Sequence, residues 1–392
     1  MKYWIITNEY FPKKGGLVSY TRNLALEIKK QGKDIEIVTS NSKDSELKEI
    51  EYIEGIKVHR VDFSRVPIIL RLFSPIIYYY RIKKYLHKLD VKSEDIVISR
   101  FYSFALAMCK SKNVKKHIFI TPLIAEKLQK MEAKKSKGIR KLYYYFILPQ
   151  IKFLDTQAIK HTPYIGVLSK SKRDEIEKAY KIKNVKICEP GIDIDRFNIP
   201  TKEMKETIRK NNRIEIKEKM LLCVCRLSPE KNLEILIEAM KLLENKNIYL
   251  YIVGEGRLKG KLEELIEKLN LQKYVKLLGA KNNVEDYYKM ADVFILPSKY
   301  EGFGHVYIEA LATGVISIAT KQEIPNCITA GDEIIENDKI GELVKYDSKE
   351  DIANKIEKCF KNATENIEYR RKYILSKYTW EKHLDKIMRS FE

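Results

Sequence analysis

No apolar run in these 392 residues reaches the roughly 20 that a membrane-spanning helix needs, which argues against a chain threaded through a bilayer. The amino end, Met1-Lys2-Tyr3-Trp4-Ile5-Ile6-Thr7, is too short and abrupt for a signal peptide and reads as a first strand. Cysteine is scarce: Cys109, Cys188, Cys223, Cys225, Cys327 and Cys359 are scattered, with no Cys-x-x-Cys pair. Cys223 and Cys225 fall on one face of an expected strand and read as packing residues, so a reducing cytoplasm fits. There is no G-x-x-x-x-G-K-[ST], which excludes the common phosphate loop of kinases and ATPases. No His/Cys/Asp constellation stands at metal spacing, so no metal is expected. Helix-turn-helix, zinc-finger and RNP signatures are missing too, and only the charge would favour nucleic acid.

What is present describes a soluble globular protein. Hydrophobic residues at 44% and charged residues at 33% suit a packed core, and the length is enough for two of them. The formal net charge of +20 suits phosphate-bearing or anionic-membrane partners.

Short apolar runs alternate with helix-length segments along the chain. Strands are expected at Tyr3–Thr7, Ile35–Ser40, Ile56–Val61, Ile96–Ser99, Ile118–Thr121, Tyr164–Leu168 and Val185–Cys188. The pattern breaks after Glu189-Pro190-Gly191 into a turn-like stretch, Ile192 to Pro200, whose Asp193-x-Asp195 reads as a structural turn. It then restarts with strands at Leu221–Arg226, Ile248–Val253, Val275–Leu278, Val293–Leu296, Ile316–Ala319 and Gly341–Tyr346. Such alternation predicts parallel sheets covered on both faces. The expected architecture is α/β, two Rossmann-like domains facing each other across a cleft. The first spans residues 1–189, a hinge 190–203, the second 204–376, and a helix over 377–392 closes the chain.

Two stretches of the second half carry chemistry. In ADVFILPSKYEGFGHVYIEALATGVISIAT, residues 291–320, a buried strand ends at Pro297-Ser298, a loop Tyr300-Glu301-Gly302-Phe303-Gly304 follows, and a helix starts at His305. The glycines let backbone N–H groups approach a ligand, and the helix's amino end suits a phosphate. Glu301 and Glu309 read either as solvated surface residues or, after a buried strand with a glycine loop between them, as acceptors for sugar and ribose hydroxyls. In the other stretch, a strand delivers Arg226 into the loop Leu227-Ser228-Pro229-Glu230-Lys231-Asn232 just before a helix. Two cations there can grip both phosphates of a diphosphate. Val253-Gly254-Glu255-Gly256-Arg257-Leu258-Lys259-Gly260 imitates a dinucleotide fingerprint, but its last glycine comes one residue late, and a nicotinamide or flavin enzyme is rejected.

Taken in order, these pieces resemble the retaining glycosyltransferases of family 4, which have the GT-B fold. The matching residues are Pro12…Gly15-Gly16, Pro190-Gly191-Ile192-Asp193 with Phe197, Arg226-Leu227…Glu230-Lys231, and Val253-Gly254-Glu255-Gly256. Glu301-Gly302-Phe303-Gly304…Glu309-Ala310-Leu311-Ala312…Gly314 matches most closely, and Tyr378-Thr379-Trp380-Glu381 looks like the closing helix that crosses back to the first domain. By that resemblance Glu301 addresses the donor sugar and Glu309 the ribose, while Arg226 and Lys231 bind the diphosphate. The Gly15-Gly16 loop helps them, and Gly302, Phe303 and Gly304 line the donor site. The resemblance implies a nucleotide-sugar donor, UDP being the commonest in the family, and neither metal nor further cofactor.

Two departures stand out. Cys225 occupies the place before the motif arginine where the family commonly has glycine. Many members also carry a histidine after the fifth strand of the first domain, where this chain reads Ile120-Thr121-Pro122-Leu123 with His117 at the strand's beginning. On the acceptor side, residues 65–88 and 134–152 mix Tyr, Ile and Leu with Lys and Arg. They read equally as buried helices with a basic edge or as segments lying on an anionic bilayer on the cytoplasmic side, with a saccharide or polyprenyl-linked acceptor. A nucleotide-sugar epimerase or hydrolase of the same fold, and a basic nucleic-acid-binding protein, are the alternatives.

Overall fold

The computed structural model describes residues 1–13, 15–41, 47–63, 66–134 and 137–392. Lys14, Arg65, Lys135 and Ser136, which fall in stretches singled out above, lie outside the described residues. The chain divides into two compact units, one formed by Met1–Gly191 with Trp380–Glu392, the other by Ile192–Thr379.

In the first unit the strands are β1 (Tyr3–Ile6), β2 (Ile35–Ser40), β3 (Ile50–Ile53), β4 (Ile56–Val61), β5 (Ile96–Ser99), β6 (Lys116–Ile120), β7 (Tyr164–Val167) and β8 (Lys186–Ile187). They form one sheet in the order β3-β4-β2-β1-β5-β6-β7-β8, parallel except for β3. All residues of β1, β2 and β5 are buried, as near-continuous apolar runs with helices on both faces require. The sequence did not announce β3. It is an edge strand whose residues are at least partly exposed, joined to β4 by Glu54 and Gly55 at φ 52° and 70°, the two-residue turn that suits the twist of a hairpin.

The last helix, Trp380–Arg389, belongs to this first unit. It buries Trp380, His383, Leu384 and Ile387 against the helix Gly16–Lys30. The Tyr20 hydroxyl meets His383 Nε2 at 2.5 Å, and the other ring nitrogen lies 2.9 Å from the carbonyl of Glu189.

The second unit holds β9 (Lys219–Val224), β10 (Ile248–Val253), β11 (Val275–Leu277), β12 (Val293–Leu296), β13 (Ile316–Thr320) and β14 (Gly341–Val344). All are parallel, in the order β11-β10-β9-β12-β13-β14. Numbered from its own first strand this is 3-2-1-4-5-6, and connections leave β9 and β12 toward opposite sides. The crevice outside the carboxyl ends of that strand pair is where open α/β sheets bind ligands.

The expected hinge 190–203 needs correction. From Ile192 onward it is built into the second unit: Ile192 bridges Thr379, Arg371 Nη1 donates to the Phe197 carbonyl at 2.7 Å, and the Phe197 ring packs edge-on against Tyr288. Thr201 caps the helix Lys202–Asn211 by accepting from Met204 N–H. The closing helix likewise starts later than residue 377, because Tyr378 and Thr379 still belong to the second unit.

Candidate active site

β9 ends at Val224, two residues before the expected end, so Arg226 sits wholly in the loop beyond it. That loop is held by backbone on its other side. Cys225 N–H donates to the Val253 carbonyl at 3.0 Å, Leu227 N–H to the Glu255 carbonyl at 2.9 Å, and Leu258 N–H to the Leu227 carbonyl at 3.2 Å. The two glycines after β10 allow this approach. A Cβ on Gly254 would lie 1.8 Å from the Cys225 carbonyl oxygen, and one on Gly256 2.3 Å from that of Leu227. Val253-Gly254-Glu255-Gly256 thus acts as a brace for the arginine loop. Cys225 in the family's glycine place leaves this brace intact, since the contact runs through its carbonyl.

β12 delivers the second loop. Pro297 ends it, Glu301 N–H donates to the Ile328 carbonyl at 3.0 Å, and Ile328 N–H to the Lys299 carbonyl at 2.9 Å. Gly304 caps the helix His305–Ala312 at φ 90°, and its missing side chain makes room for the Tyr307 ring, 2.6 Å from where a Cβ would stand. At the far end Gly314, φ 80°, closes the helix: its N–H donates to the Leu311 carbonyl and Val315 N–H to that of Ala310, the paired pattern of a left-handed C-terminus.

The two loops are tied to each other. Lys299 N–H donates to the Glu230 carbonyl at 2.9 Å, and Lys231 Nζ forms an ion pair with Glu301 Oε2. Both side chains are mostly buried, at 14% and 17% exposure, so the pair is weakly screened. Burial pulls the Lys231 ammonium toward neutrality, but Glu301, with Cys225 and Glu230 beside it, outweighs that and holds its pKa above the usual value. Arg226 is 63% exposed and pairs with Glu230 at 3.0 Å. Glu230 itself is buried and accepts from the Ser228 hydroxyl; despite its burial, these hydrogen bonds and the two cations keep its carboxyl below the usual range.

Glu309 stands one turn into the glycine-loop helix and accepts from the buried Tyr288 hydroxyl at 2.7 Å. Burial raises its pKa, against the Tyr288 hydrogen bond and Arg196. Gly302 and Phe303 are buried beside Glu301, and Gly302 N–H lies 3.3 Å from Glu301 Oε1. The second unit therefore gathers Arg226, Lys231, Glu301, Gly302, Phe303, Gly304 and Glu309 on the carboxyl ends of β9 and β12. Gly15 and Gly16 belong to the first unit, after β1 at the corresponding strand pair β1/β5. Gly15 has φ 147°, and the helix it opens carries neither a side-chain cap nor an acidic residue in its first turn. His117 plays no part: it is buried between Ser99 Oγ at 2.8 Å and Cys109, and burial pushes its pKa down to about 3.

Two roles escaped the sequence reading. Glu230, matched with the family motif but given no role, positions Arg226, and its spacing of four residues was a signal that could have been used. Tyr288 positions Glu309 from another helix, 21 residues away, and no local pattern marks it.

Comparison with known proteins bears on the whole chain. The family model for Glycosyltransferase Family 4 matches residues 14–196, and that for Glycosyl transferases group 1 matches residues 204–380. An uncharacterised glycosyltransferase of Methanocaldococcus jannaschii is 28% identical over 80% of this chain and 79% of its own. The N-acetylgalactosamine-N,N'-diacetylbacillosaminyl-diphospho-undecaprenol 4-alpha-N-acetylgalactosaminyltransferase of Campylobacter jejuni is 31% identical over 56% of this chain and 55% of its own. The UDP-Gal:alpha-D-GlcNAc-diphosphoundecaprenol alpha-1,3-galactosyltransferase of Escherichia coli is 27% identical over 65% of each chain. Among solved structures, the sucrose-phosphate synthase of Thermosynechococcus elongatus superposes with a TM-score of 0.77 over 98% of this chain and 97% of its own, at 16% identity.

Proposed function

Because the chain belongs to the family 4 glycosyltransferases and has their GT-B fold, we propose that it transfers a sugar from a UDP-sugar, with retention, to a lipid-linked saccharide. The observation that carries the donor assignment is the Lys231–Glu301 ion pair at the β9/β12 crevice. Donor binding exchanges that pair for two contacts, Lys231 with a diphosphate oxygen and Glu301 with sugar hydroxyls. Arg226, exposed and anchored by Glu230, adds its planar fork to the same diphosphate. As the anomeric C–O bond breaks, negative charge grows on the leaving phosphate, and these preset cations stabilise it more than the ground state. The acceptor hydroxyl attacks the same face and gives its proton to that phosphate. The acceptor class is supported by the two relatives named above whose substrates are carried on diphosphoundecaprenol.

A thermal-shift screen of nucleotide sugars tests the donor reading. A donor at a hundredfold excess over its Kd stabilises by about 2.7 kcal/mol, and UDP compounds are expected to do so. Glu309→Gln should weaken nucleotide binding roughly 10- to 100-fold, as loss of an ionised acceptor does. Its pH dependence has a defined sign. The ionised carboxylate is the acceptor, and its folded-state pKa is raised, so affinity falls on acidification at a higher pH than an ordinary glutamate would give. The same raised pKa costs the native protein stability as pH climbs from the unfolded value through the folded one. Glu309→Gln should therefore bind weakly at every pH without losing stability at neutrality. A screen in which no nucleotide diphosphate shifts the melting curve contradicts the proposal.

We also propose that the enzyme works at a membrane surface. Among the described residues no helix is long and apolar enough to cross one. The first unit, however, exposes Leu70 and Phe73 before the helix Ser74–Lys88, and Leu142, Tyr145, Phe146 and Phe153 along the helix Gly138–His161. Arg71, Lys141 and Lys152 are exposed among them. Apolar side chains flanked by cations suit an anionic bilayer, where each cation contributes about 1 kcal/mol. In flotation with phosphatidylglycerol vesicles the protein is expected to rise with the lipid at low salt, and Tyr145→Glu/Phe153→Glu to stay behind. Wild type left in the soluble fraction at low salt would refute it.

A further inference from the structure

The first unit contains a cavity of about 450 Å³ beyond the carboxyl ends of β1, β2 and β5, within the size range of small-molecule pockets. Its more exposed lining is polar: Asn8, Glu9 and Lys13 from the loop after β1, with Glu9 and Lys13 paired at 3.1 Å. Its buried lining is mostly apolar, with Ser40, Ser74 and Ser103 set among the larger side chains. Tyr144, Ile147 and Ile151 come from one face of the helix Gly138–His161, Ile82 from the helix Ser74–Lys88, and Phe101 and Tyr102 from the end of β5. Phe63 and Tyr78, stacked at 4.4 Å, make a further wall.

Among the described residues, no charged side chain lines the interior beyond Glu9 and Lys13. The Ser74 and Tyr143 hydroxyls lie 3.3 Å apart and serve each other, and the Ser40 hydroxyl donates to the Asn8 carbonyl at 2.6 Å, so part of the polar lining is already paired. The helix that lines the cavity with Tyr144, Ile147 and Ile151 carries the exposed Leu142, Tyr145, Phe146 and Phe153 on its opposite side. A chain that leaves a bilayer against that outer face therefore has an apolar cavity one helix away.

We propose that this cavity takes an apolar chain, prenyl or acyl, of a phosphorylated lipid carrier, with Lys13 at the mouth for the phosphate. The proposal rests on the lipid-linked acceptor reading and goes further, assigning part of the carrier to a pocket in the protein. Burial of each CH₂ is worth roughly fourfold in affinity, so chain length is the quantity to vary.

The probes are farnesyl phosphate, dodecyl phosphate and isopentenyl phosphate, titrated calorimetrically below their micelle concentrations. Farnesyl phosphate is expected to bind at least tenfold tighter than isopentenyl phosphate. Gln129→Trp, a half-buried lining position where indole fills the space, should bring the two within about threefold while melting like wild type. Tyr78→Ala, which opens the cavity, should keep or increase the preference. A farnesyl preference over dodecyl assigns the prenyl source, and equal binding assigns a chain of either kind. Chain-length preference that is missing in wild type, or unchanged in Gln129→Trp, overturns the proposal. These titrations need no turnover, and a UDP titration on the same samples reads the donor site separately, so failure of one assignment is not mistaken for failure of the other.

Discussion

Lys231→Ala is expected to lower kcat/KM by about 1,000-fold or more, because one fixed donor facing developing charge is worth about 10²–10³ and this lysine also binds the ground-state diphosphate. Glu301→Gln should lose comparable activity through the sugar hydroxyls. Their ion pair adds a second signature. Removing one partner of a fully buried pair costs about 3–5 kcal/mol, but the residual exposure here screens the charge left behind, so about 1–3 kcal/mol is expected for each single variant. Lys231→Ala with Glu301→Gln removes both charges and should recover much of the cost of the unpaired charge while recovering no transfer. Urea denaturation of the four proteins closes the double-mutant cycle, and a transfer assay gives the activity. If the double variant were as active as wild type, the pair would have no part in the chemistry.

Gly254→Ala is the second large effect, on a residue assigned no contact with substrate. The new Cβ would sit 1.8 Å from the Cys225 carbonyl oxygen, and the backbone holds φ 143°, where an L side chain is strained. The partner is backbone, so no flexible side chain can yield. Either the loop carrying Arg226 moves away from β10 or the ladder at Val253 opens. A loss of more than about 3 kcal/mol is expected, the range of strain and overpacking combined, with nucleotide affinity falling alongside. Gly260→Ala is the control, six residues further along the same segment. Its Cβ meets nothing within 4 Å, and in the helix Lys259–Lys268 alanine should gain up to about 1 kcal/mol. Melting curves for the two variants moving in the same direction would contradict this account of the brace.

The sheets were legible in the sequence because strands buried on both faces write themselves as apolar runs, as Val293–Leu296 and Ile248–Val253 do. The site was legible where glycines and charges interrupt those runs at their carboxyl ends, which exposed Glu301, Lys231 and Gly254 together. What escaped depends on distant partners. The helix Ile367–Lys377 shows little apolar periodicity, since one of its two buried anchors is a cation. The Arg370 guanidinium donates to the carbonyls of Lys339, Gly314 and Asn362 at 3.0, 2.7 and 3.2 Å, and no hydrophobic pattern encodes such a residue. Tyr288, which orients Glu309, was invisible for the same reason. The start of the second unit was misjudged because a polar, turn-like stretch reads as a linker, whereas Ile192 and Phe197 are anchored by Tyr378 and Arg371 from its far end.

The first unit's sheet is finished by Ile187, yet one of its helices is encoded only after the whole of Ile192–Thr379. During synthesis at about 5–20 residues per second, roughly 190 codons separate the two, so for tens of seconds on the ribosome Tyr20 has no His383 to meet. The later unit, contiguous in the message, can close first, and the earlier one waits for its final strut.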